Sequence, residues 1–356
     1  MNPNLTLRNS LDGDLDRLLA EVQAGAGQDL SVAETLPAAA YTSEAFFELE
    51  KQRIFRKEWL AIGHVAQIPN VGDYFTIDVL GDPLMAVRGP VRVLAGAGTG
   101  KTRVITRRIA YGVDSGTYSP GRVMALTFTA KAAGEMRGRL RALGIVGVAA
   151  RTFHAAALSQ LNYFWPQVAG SPAPRIVDNK VRLLAQAAEQ QRLHLDTATL
   201  RDVASHIEQR KVAMRRIDEI GSTRPVTIGT LDTGQIRDLH AAYEKLKDER
   251  HQLDFEDVLL ACAGMIEAEP RVAQSVREQY RHFTVDEFQD VSPLQNRLLE
   301  LWLGERRDLC VVGDASQTIY SFAGARADYL LDFPRHHPDA RSFTLEHNYR
   351  SDQPVL

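Results

Sequence analysis

Residues Ala95, Gly96, Ala97, Gly98, Thr99, Gly100, Lys101 and Thr102 set three spaced glycines beside a lysine and a hydroxyl. That is the composition needed to wrap main-chain N–H groups around a polyphosphate. Glycine at 96, 98 and 100 permits backbone conformations closed to residues with a side chain, so successive N–H groups can converge on one anion. Lys101 can reach the outer phosphates and the Thr102 hydroxyl can ligate Mg²⁺, while Ala95 stands where the general pattern has its first glycine. An apolar run, Val91 to Leu94, precedes the octet and a helix-compatible stretch, Arg103 to Tyr111, follows it. This is the strand, turn and helix order that such a loop requires, and the helix N-terminus adds partial positive charge. These residues predict a site for a nucleoside triphosphate.

A phosphate loop alone does not choose among kinases, GTPases, transporters and motors, so its partners decide. Val285-Asp286-Glu287-Phe288-Gln289-Asp290 ends an apolar strand with two adjacent carboxylates. Asp286 is assigned to the metal and Glu287 to orienting or deprotonating the attacking water. The guanine signature of GTPases is missing, because Asn179-Lys180-Val181-Arg182 lacks the acid it needs, and the signature loop of transporter ATPases is absent.

Composition frames this chemistry. With 356 residues, 44% hydrophobic and 24% charged, the chain is long enough for two domains or more. Cys262 and Cys310 are too few and too far apart for a disulfide framework or a cysteine-rich metal site, which suits a reducing cytoplasm. No apolar run approaches membrane-spanning length, so a soluble, cytoplasmic protein without a membrane partner is expected. The net charge of −3 is uneven, being −6 over residues 1–89 and +3 over residues 90–356. The second value permits a nucleic-acid groove without demonstrating one.

The elements that must position the site can be read along the chain. Residues 1–40 are polar and read as partly disordered around one helix near Leu11 to Val22. Ser43 can cap a helix running to about Trp59, and Gly72 to Leu80 followed by Leu84 to Val87 reads as a hairpin turning at Gly81-Asp82. Short apolar runs at Val91–Leu94, Val123–Thr127, Phe283–Val285, Leu309–Val312 and Ser342–Leu345 predict a buried parallel sheet. Between about Asp178 and Glu267 only helical periodicity is found, at Val181–Gln191, Leu200–Arg215, Gln235–Arg250 and Phe255–Ile266. The fold class is therefore α/β, a parallel sheet flanked by helices, with an all-helical insertion.

From Gly89 to Leu356 the sequence resembles the superfamily 1 helicases of the UvrD, PcrA and Rep type, most closely an actinobacterial UvrD-like branch. The resemblance is carried by blocks in order. AGAGTGKT looks like motif I, Thr127-Phe128-Thr129-Ala130-Lys131-Ala132-Ala133 like motif Ia, and Thr152-Phe153-His154 like motif Ib. VDEFQD is similar to motif II, Val312 to Tyr320 to motif III, and Leu345-Glu346-His347-Asn348-Tyr349-Arg350-Ser351 to motif IV. It implies a RecA-like P-loop NTPase domain 1A over residues 90–170 and 271–356, a helical domain 1B over residues 171–270, and ATP with Mg²⁺ as cofactors. Its partner would be single-stranded or duplex-junction DNA, unwound with 3′ to 5′ polarity.

The same resemblance implies roles for single residues. Gln317 would sense the γ-phosphate, Arg350 would neutralise charge on the transferred phosphoryl group, and Tyr349 would stack on adenine. Phe128, Tyr320 and Phe322 would form a base-stacking platform, and Thr127, Thr129, Phe153 and His154 would line the strand. Lys211, Arg215 and Arg216 read either as contacts to duplex phosphates or as a solvated basic face.

Three departures stand out. The adenine-reading glutamine block expected before the phosphate loop has no counterpart, Gln67 having the wrong neighbours. Ala323 and His347 replace residues usual in the relatives. The second RecA-like domain, needed for translocation, lies beyond the sequence as it stands. In place of the glutamine block, residues 41–89 resemble the N-terminal part of Rieske-type ring-hydroxylating oxygenase large subunits, an unrelated α+β extension. The resemblance stops before any cluster ligand, and His64 is a lone imidazole, structural or exposed, so no iron–sulfur cluster is expected. A fusion of two gene fragments near Arg88 to Pro90 is the implied origin. The competing function is a non-catalytic fragment that binds nucleotide or DNA.

Overall fold

The computed structural model describes residues 3–26, 35–55, 62–70, 73–79, 82–318 and 324–345, with the backbone alone for residues 3–13, 65 and 82–85. The chain divides into two compact units, Met1–Val87 and Arg88–Leu356. The first contains helix α1 (Pro3–Ala26), helix α2 (Glu44–Glu50) and an antiparallel hairpin of β1 (Tyr74–Val79) and β2 (Asp82–Val87). Helix α1 extends well past the Leu11 to Val22 expected from sequence, and Leu18 is buried with Ala40 and Phe46. Ser43 caps α2 as anticipated, its Oγ accepting from Phe46 N at 3.2 Å, but the regular helix ends at Glu50 and a π-turn follows over Lys51–Phe55. Residues 56–61, the rest of the expected helix, lie outside the described residues.

In the second unit, β3 (Val91–Ala95) leads into α3 (Lys101–Asp114), β4 (Val123–Thr127), α4 (Ala130–Ala142), β5 (Ala149–Thr152) and α5 (Phe153–Ala169). A two-residue strand β6 (Arg175–Ile176) precedes α6 (Lys180–Gln190), α7 (Thr197–Val212) and α8 (Thr233–Glu249). Strand β7 (Gln252–Leu253), α9 (Phe255–Ala268), α10 (Pro270–Gln279), β8 (His282–Val285), α11 (Pro293–Leu303), β9 (Leu309–Gly313), α12 (Asp328–Leu331), α13 (Phe333–His336) and β10 (Arg341–Leu345) complete it. Six strands form one parallel sheet in the order β10-β3-β9-β8-β4-β5. The inner strands are buried on both faces, which is why they read as unbroken apolar runs. Met124 and Leu126 face a core shared with α5, α9, α10 and α11, while α3 packs on β9 and α4 on β4 and β5. Among the described residues no helix is long and apolar enough to cross a membrane.

Helices α6, α7 and α8 have their own core, built on Leu184, Val203, Ile207, Ile236, Leu239 and Tyr243. Two expectations change here. The segment read as purely helical contains β7, which pairs with β6 in parallel, a two-residue pairing too short to leave a periodic signal. Helix α9, expected within the helical insertion, packs instead on α5 and α11 in the core beneath the sheet. Periodicity shows that a face is apolar but not which core receives it.

Charge helps to join the two cores, where α7 packs on α9 and α11. Lys211 is 2% exposed and lies 2.6 Å from Asp254, 2.6 Å from Asp257 and 3.0 Å from Glu244. Lys247 pairs with Glu244 at 2.6 Å and with Asp257, and the Tyr243 hydroxyl donates to Asp254 at 3.1 Å. Burial opposes ionisation of Asp254, yet Lys211 and Lys247 outweigh it and hold its pKa well below the usual carboxylate range. Lys180 adds a second tie, 2.7 Å from Glu208 and 2.6 Å from Glu256. Lys211 therefore belongs neither to a solvated face nor to a DNA surface. Asp254 and Asp257 lie more than forty residues away and are brought to it only by folding. Arg215 and Arg216 are exposed, Arg216 pairing with Asp218. Removing the buried cation strands carboxylates: Lys211→Met should destabilise the second unit by about 3–5 kcal/mol, whereas Arg216→Ala, at an exposed pair, should change stability by about 0.5 kcal/mol or less. Urea denaturation followed by circular dichroism measures both.

Candidate nucleotide and strand site

The carboxyl edge of the parallel sheet collects the residues that could do chemistry. Strand β3 delivers the chain into the glycine loop, where Gly98 (φ 76°) and Gly100 (φ 95°) take left-handed conformations before Lys101 opens α3. The Thr99 hydroxyl donates to the Gly96 carbonyl at 2.9 Å and tightens the turn. Ile105 and Ile109 are buried on the inner face of α3, which fixes the helix N-terminus over the loop. Thr102 is the second residue of α3, and its carbonyl accepts from the Thr106 hydroxyl at 2.9 Å.

Two strands away, β8 ends at Val285 and releases Asp286 and Glu287 at the same edge. Asp286 N donates to the Leu126 carbonyl at 2.9 Å, and the Glu287 amide donates to Asp286 Oδ1 at 3.0 Å. Burial, and then the adjacent Glu287 charge, push the Asp286 carboxyl up to about 6. Glu287 adopts φ 51°, an uncommon conformation for a residue with a side chain. Its Oε2 lies 2.9 Å from Lys101 Nζ, joining the glycine-loop helix to the strand-end carboxylates. The buried Lys101 ammonium has this ion pair but no well-directed hydrogen bond.

A chain of side-chain contacts extends the group to Gln317. Gln289 Nε2 donates to Glu287 Oε2 at 3.0 Å, and Gln289 Oε1 accepts from Asp314 N at 3.0 Å. Asp314 Oδ2 in turn accepts from Gln317 Nε2 at 2.7 Å. Gly313 is required for this approach, since a Cβ there would stand 2.5 Å from Gln289 Oε1 and 3.2 Å from Phe288 N. A Cβ on Gly96 would lie 3.9 Å from Asp314 Oδ2, so this chain passes alongside the glycine loop. Lys101, Asp286, Glu287 and Gln317 are thus one constellation. Gln289 and Asp314 were not singled out from sequence, although both lie inside the quoted blocks, and their short polar links appear only once β8 and β9 are neighbours.

The residues expected to line a DNA strand separate into two groups. Phe153 is 1% exposed and stacks on Trp302 with ring centroids 6.1 Å apart, so it is a core side chain and is corrected from the strand-contact set. Thr127 is likewise buried at the end of β4. Phe128 is half-buried, 6.2 Å from the Phe153 ring, and Thr129 is exposed, its hydroxyl capping α4 by accepting from Ala132 N at 3.1 Å. His154 stacks face to face on Phe255, with centroids 3.7 Å apart and planes at 13°. Burial pushes its pKa down to about 4, so the ring is neutral near pH 7, and its Nε2 is buried without a hydrogen-bond partner. Phe255 is 55% exposed, an aromatic in the first turn of a capped helix, and no sequence signal distinguished it from a core position. Tyr320, Phe322, Tyr349 and Arg350 lie outside the described residues.

Comparison with known proteins agrees with this geometry. Residues 81–338 match the family model of the UvrD/REP helicase N-terminal domain. The ATP-dependent DNA helicase UvrD2 of Mycobacterium tuberculosis (strain ATCC 25618 / H37Rv) is 48% identical over 293 residues, covering 77% of this chain and 41% of the relative. UvrD1 of the same strain is 34% identical over 283 residues, covering 75% and 36%, and PcrA of Leuconostoc citreum is 31% identical over 281 residues, covering 77% and 37%. The chain spans about two-fifths of the length of these relatives. With its glycine loop, paired carboxylates and five of the six strands of the parallel sheet inside the matched region, the chain belongs to the UvrD/REP family of helicases.

Proposed function

We propose that residues 88–356 are the nucleotide-binding half of a DNA-translocating motor, hydrolysing ATP with Mg²⁺ in response to single-stranded or junction DNA. The relatives are named ATP-dependent DNA helicases, and we extend that activity, with the 3′ to 5′ polarity implied by resemblance, to the longer assembly in which this half would work. The observation that carries the reading is the 2.9 Å contact between Lys101 and Glu287. We assign the sheet, together with α9, to domain 1A and helices α6 to α8 to domain 1B.

The residues fit a magnesium-bound triphosphate, because a buried ammonium without a directed partner adjoins a glycine loop and a buried carboxyl. The loop from Ala95 to Gly100 supplies N–H groups to the phosphates, Lys101 supplies charge, and Thr102 with Asp286 would hold the metal. Mg²⁺, when bound, offsets negative charge on the phosphoryl oxygens. A triphosphate competes with Glu287 for the Lys101 ammonium, and Glu287, once released, is free to orient a water and accept its proton. Gln317 connects through Asp314 and Gln289 to that same carboxylate, so a change at Gln317 is felt at Glu287. The exposed Phe255 ring, backed by His154, supports base stacking worth about 1–3 kcal/mol per base whatever the sequence.

Lys101→Ala should lower DNA-stimulated ATP turnover by about 100-fold or more; equal turnover in both proteins, or none in either with nucleotide still bound, would favour a non-catalytic binding fragment. Because Asp286 is protonated below about pH 6 and a metal needs the carboxylate, Mg²⁺-dependent nucleotide affinity should rise from pH 5 through about 6 and level off above it. Asp286→Asn should flatten that profile in a fluorescent-nucleotide titration. Phe255→Ala should weaken binding of a labelled single strand by about ten-fold in fluorescence anisotropy while leaving nucleotide affinity unchanged.

A further inference from the structure

The amino edge of the same sheet, opposite the nucleotide, carries a second charged feature. Arg122 immediately precedes β4, Arg281 immediately precedes β8, and Arg306 lies three residues before β9. In a parallel sheet these positions share one edge, about 16 Å from the carboxyl edge for strands of this length. Hydrogen bonds to the main chain bring them together, Arg281 N donating to the Arg122 carbonyl at 2.8 Å and Arg306 Nη1 to the Tyr280 carbonyl at 2.8 Å. Beside them Arg137 and Arg151 line a cleft of about 410 Å³ together with Gly121, Gln279 and Tyr280.

Three guanidiniums at or near this edge, those of Arg137, Arg277 and Arg306, are anchored by carbonyls rather than by carboxylates. Arg137 donates to the Ala150 carbonyl at 2.6 Å, Arg277 to Leu301 at 3.1 Å and Arg306 to Tyr280. Among the described residues, none of Arg122, Arg137, Arg151, Arg277, Arg281 and Arg306 forms an ion pair with a carboxylate, although twenty such pairs to lysine, arginine or histidine are found elsewhere among them. Asp308, the carboxylate facing Arg306, lies 3.9 Å from His282. Burial and the charges of Arg281, Arg277 and Arg122 push the Arg306 pKa down, the mark of cations crowding one another.

We propose that this arginine edge binds the phosphate backbone of nucleic acid, on a surface separate from the strand platform at the carboxyl edge. Guanidinium forks pre-oriented by carbonyls, as at Arg137 and Arg306, suit the bidentate geometry of phosphates, and spaced cations not closed into ion pairs suit a repeating anion. An acidic peptide is the less fitting partner, because peptide recognition draws on an apolar anchor and the one aromatic side chain in the cleft, Tyr280, is buried.

The test is fluorescence anisotropy of labelled single-stranded and duplex oligonucleotides on the full chain, from 50 to 200 mM salt. Arg122 and Arg281 are exposed, so the double variant Arg122→Glu/Arg281→Glu should keep its circular dichroism spectrum and melting temperature. Its affinity should fall about ten-fold or more and the log–log salt slope by about two, with fluorescent-nucleotide affinity unchanged. Unchanged affinity and slope would overturn the inference, as would a polyglutamate peptide that binds through these arginines while DNA binding is indifferent to them. Repeating the series in Phe255→Ala separates the two readings: a platform that fails to matter leaves the arginine effect intact, and the reverse holds equally.

Discussion

The site depends on one constraint of parallel sheets: every strand releases its chain at the same edge. The glycine loop after β3, the carboxylates after β8 and the Asp314–Gln317 turn after β9 meet because β9 lies between β3 and β8 in the sheet order. No local preference would bring residue 101 to residue 287. Hydrogen bonding across the ladder sets the strands about 4.8 Å apart, and side chains of lysine and glutamate length then span the gap. Gly313 belongs to this requirement, because any side chain there would press on Gln289 and break the link to Asp314.

Electrostatics then gives the edge its character. Asp286 is buried and next to a second carboxylate, so its charge is disfavoured until a cation offsets it, and Lys101 is shared between Glu287 and whatever anion the loop receives. The buried cluster around Lys211 works differently. Its cations and carboxylates are mutually satisfied, and it ties the helical core to the start of α9, whose first residue is Phe255. The Phe255 ring stacked on His154 and the helical unit are therefore linked through the same few ionic contacts.

Much of this was legible in the order of residues. Apolar runs marked β4, β8 and β9 because strands buried on both faces leave little polar alternation, β3 and the edge strand β10 were read from shorter apolar runs, and the glycine octet lay between its strand and helix. Strand β5 was not legible: Ala149-Ala150-Arg151-Thr152 is an edge strand, half solvated and short of β-branched residues. Lys211 misled because a lysine on a helix is normally solvated, and only tertiary structure brings Asp254 and Asp257 to it. Phe153 and Phe255 show the same limit in opposite directions, one aromatic inside the core and one outside, with nothing in their neighbours to tell them apart.

The strand order also bears on how the chain is made. Val91 of β3 pairs with Arg341 of β10 and with Cys310 of β9, so the strand feeding the glycine loop finds its ladder partners only 250 and 219 residues later. At ribosomal speeds of about 5–20 residues per second, β3 waits roughly 11 to 50 seconds with both backbone edges unpaired. During that interval an apolar strand is exposed to pairing with other chains. The topology thus leaves residues 91–95 without their ladder partners until β9 and β10 dock on either side.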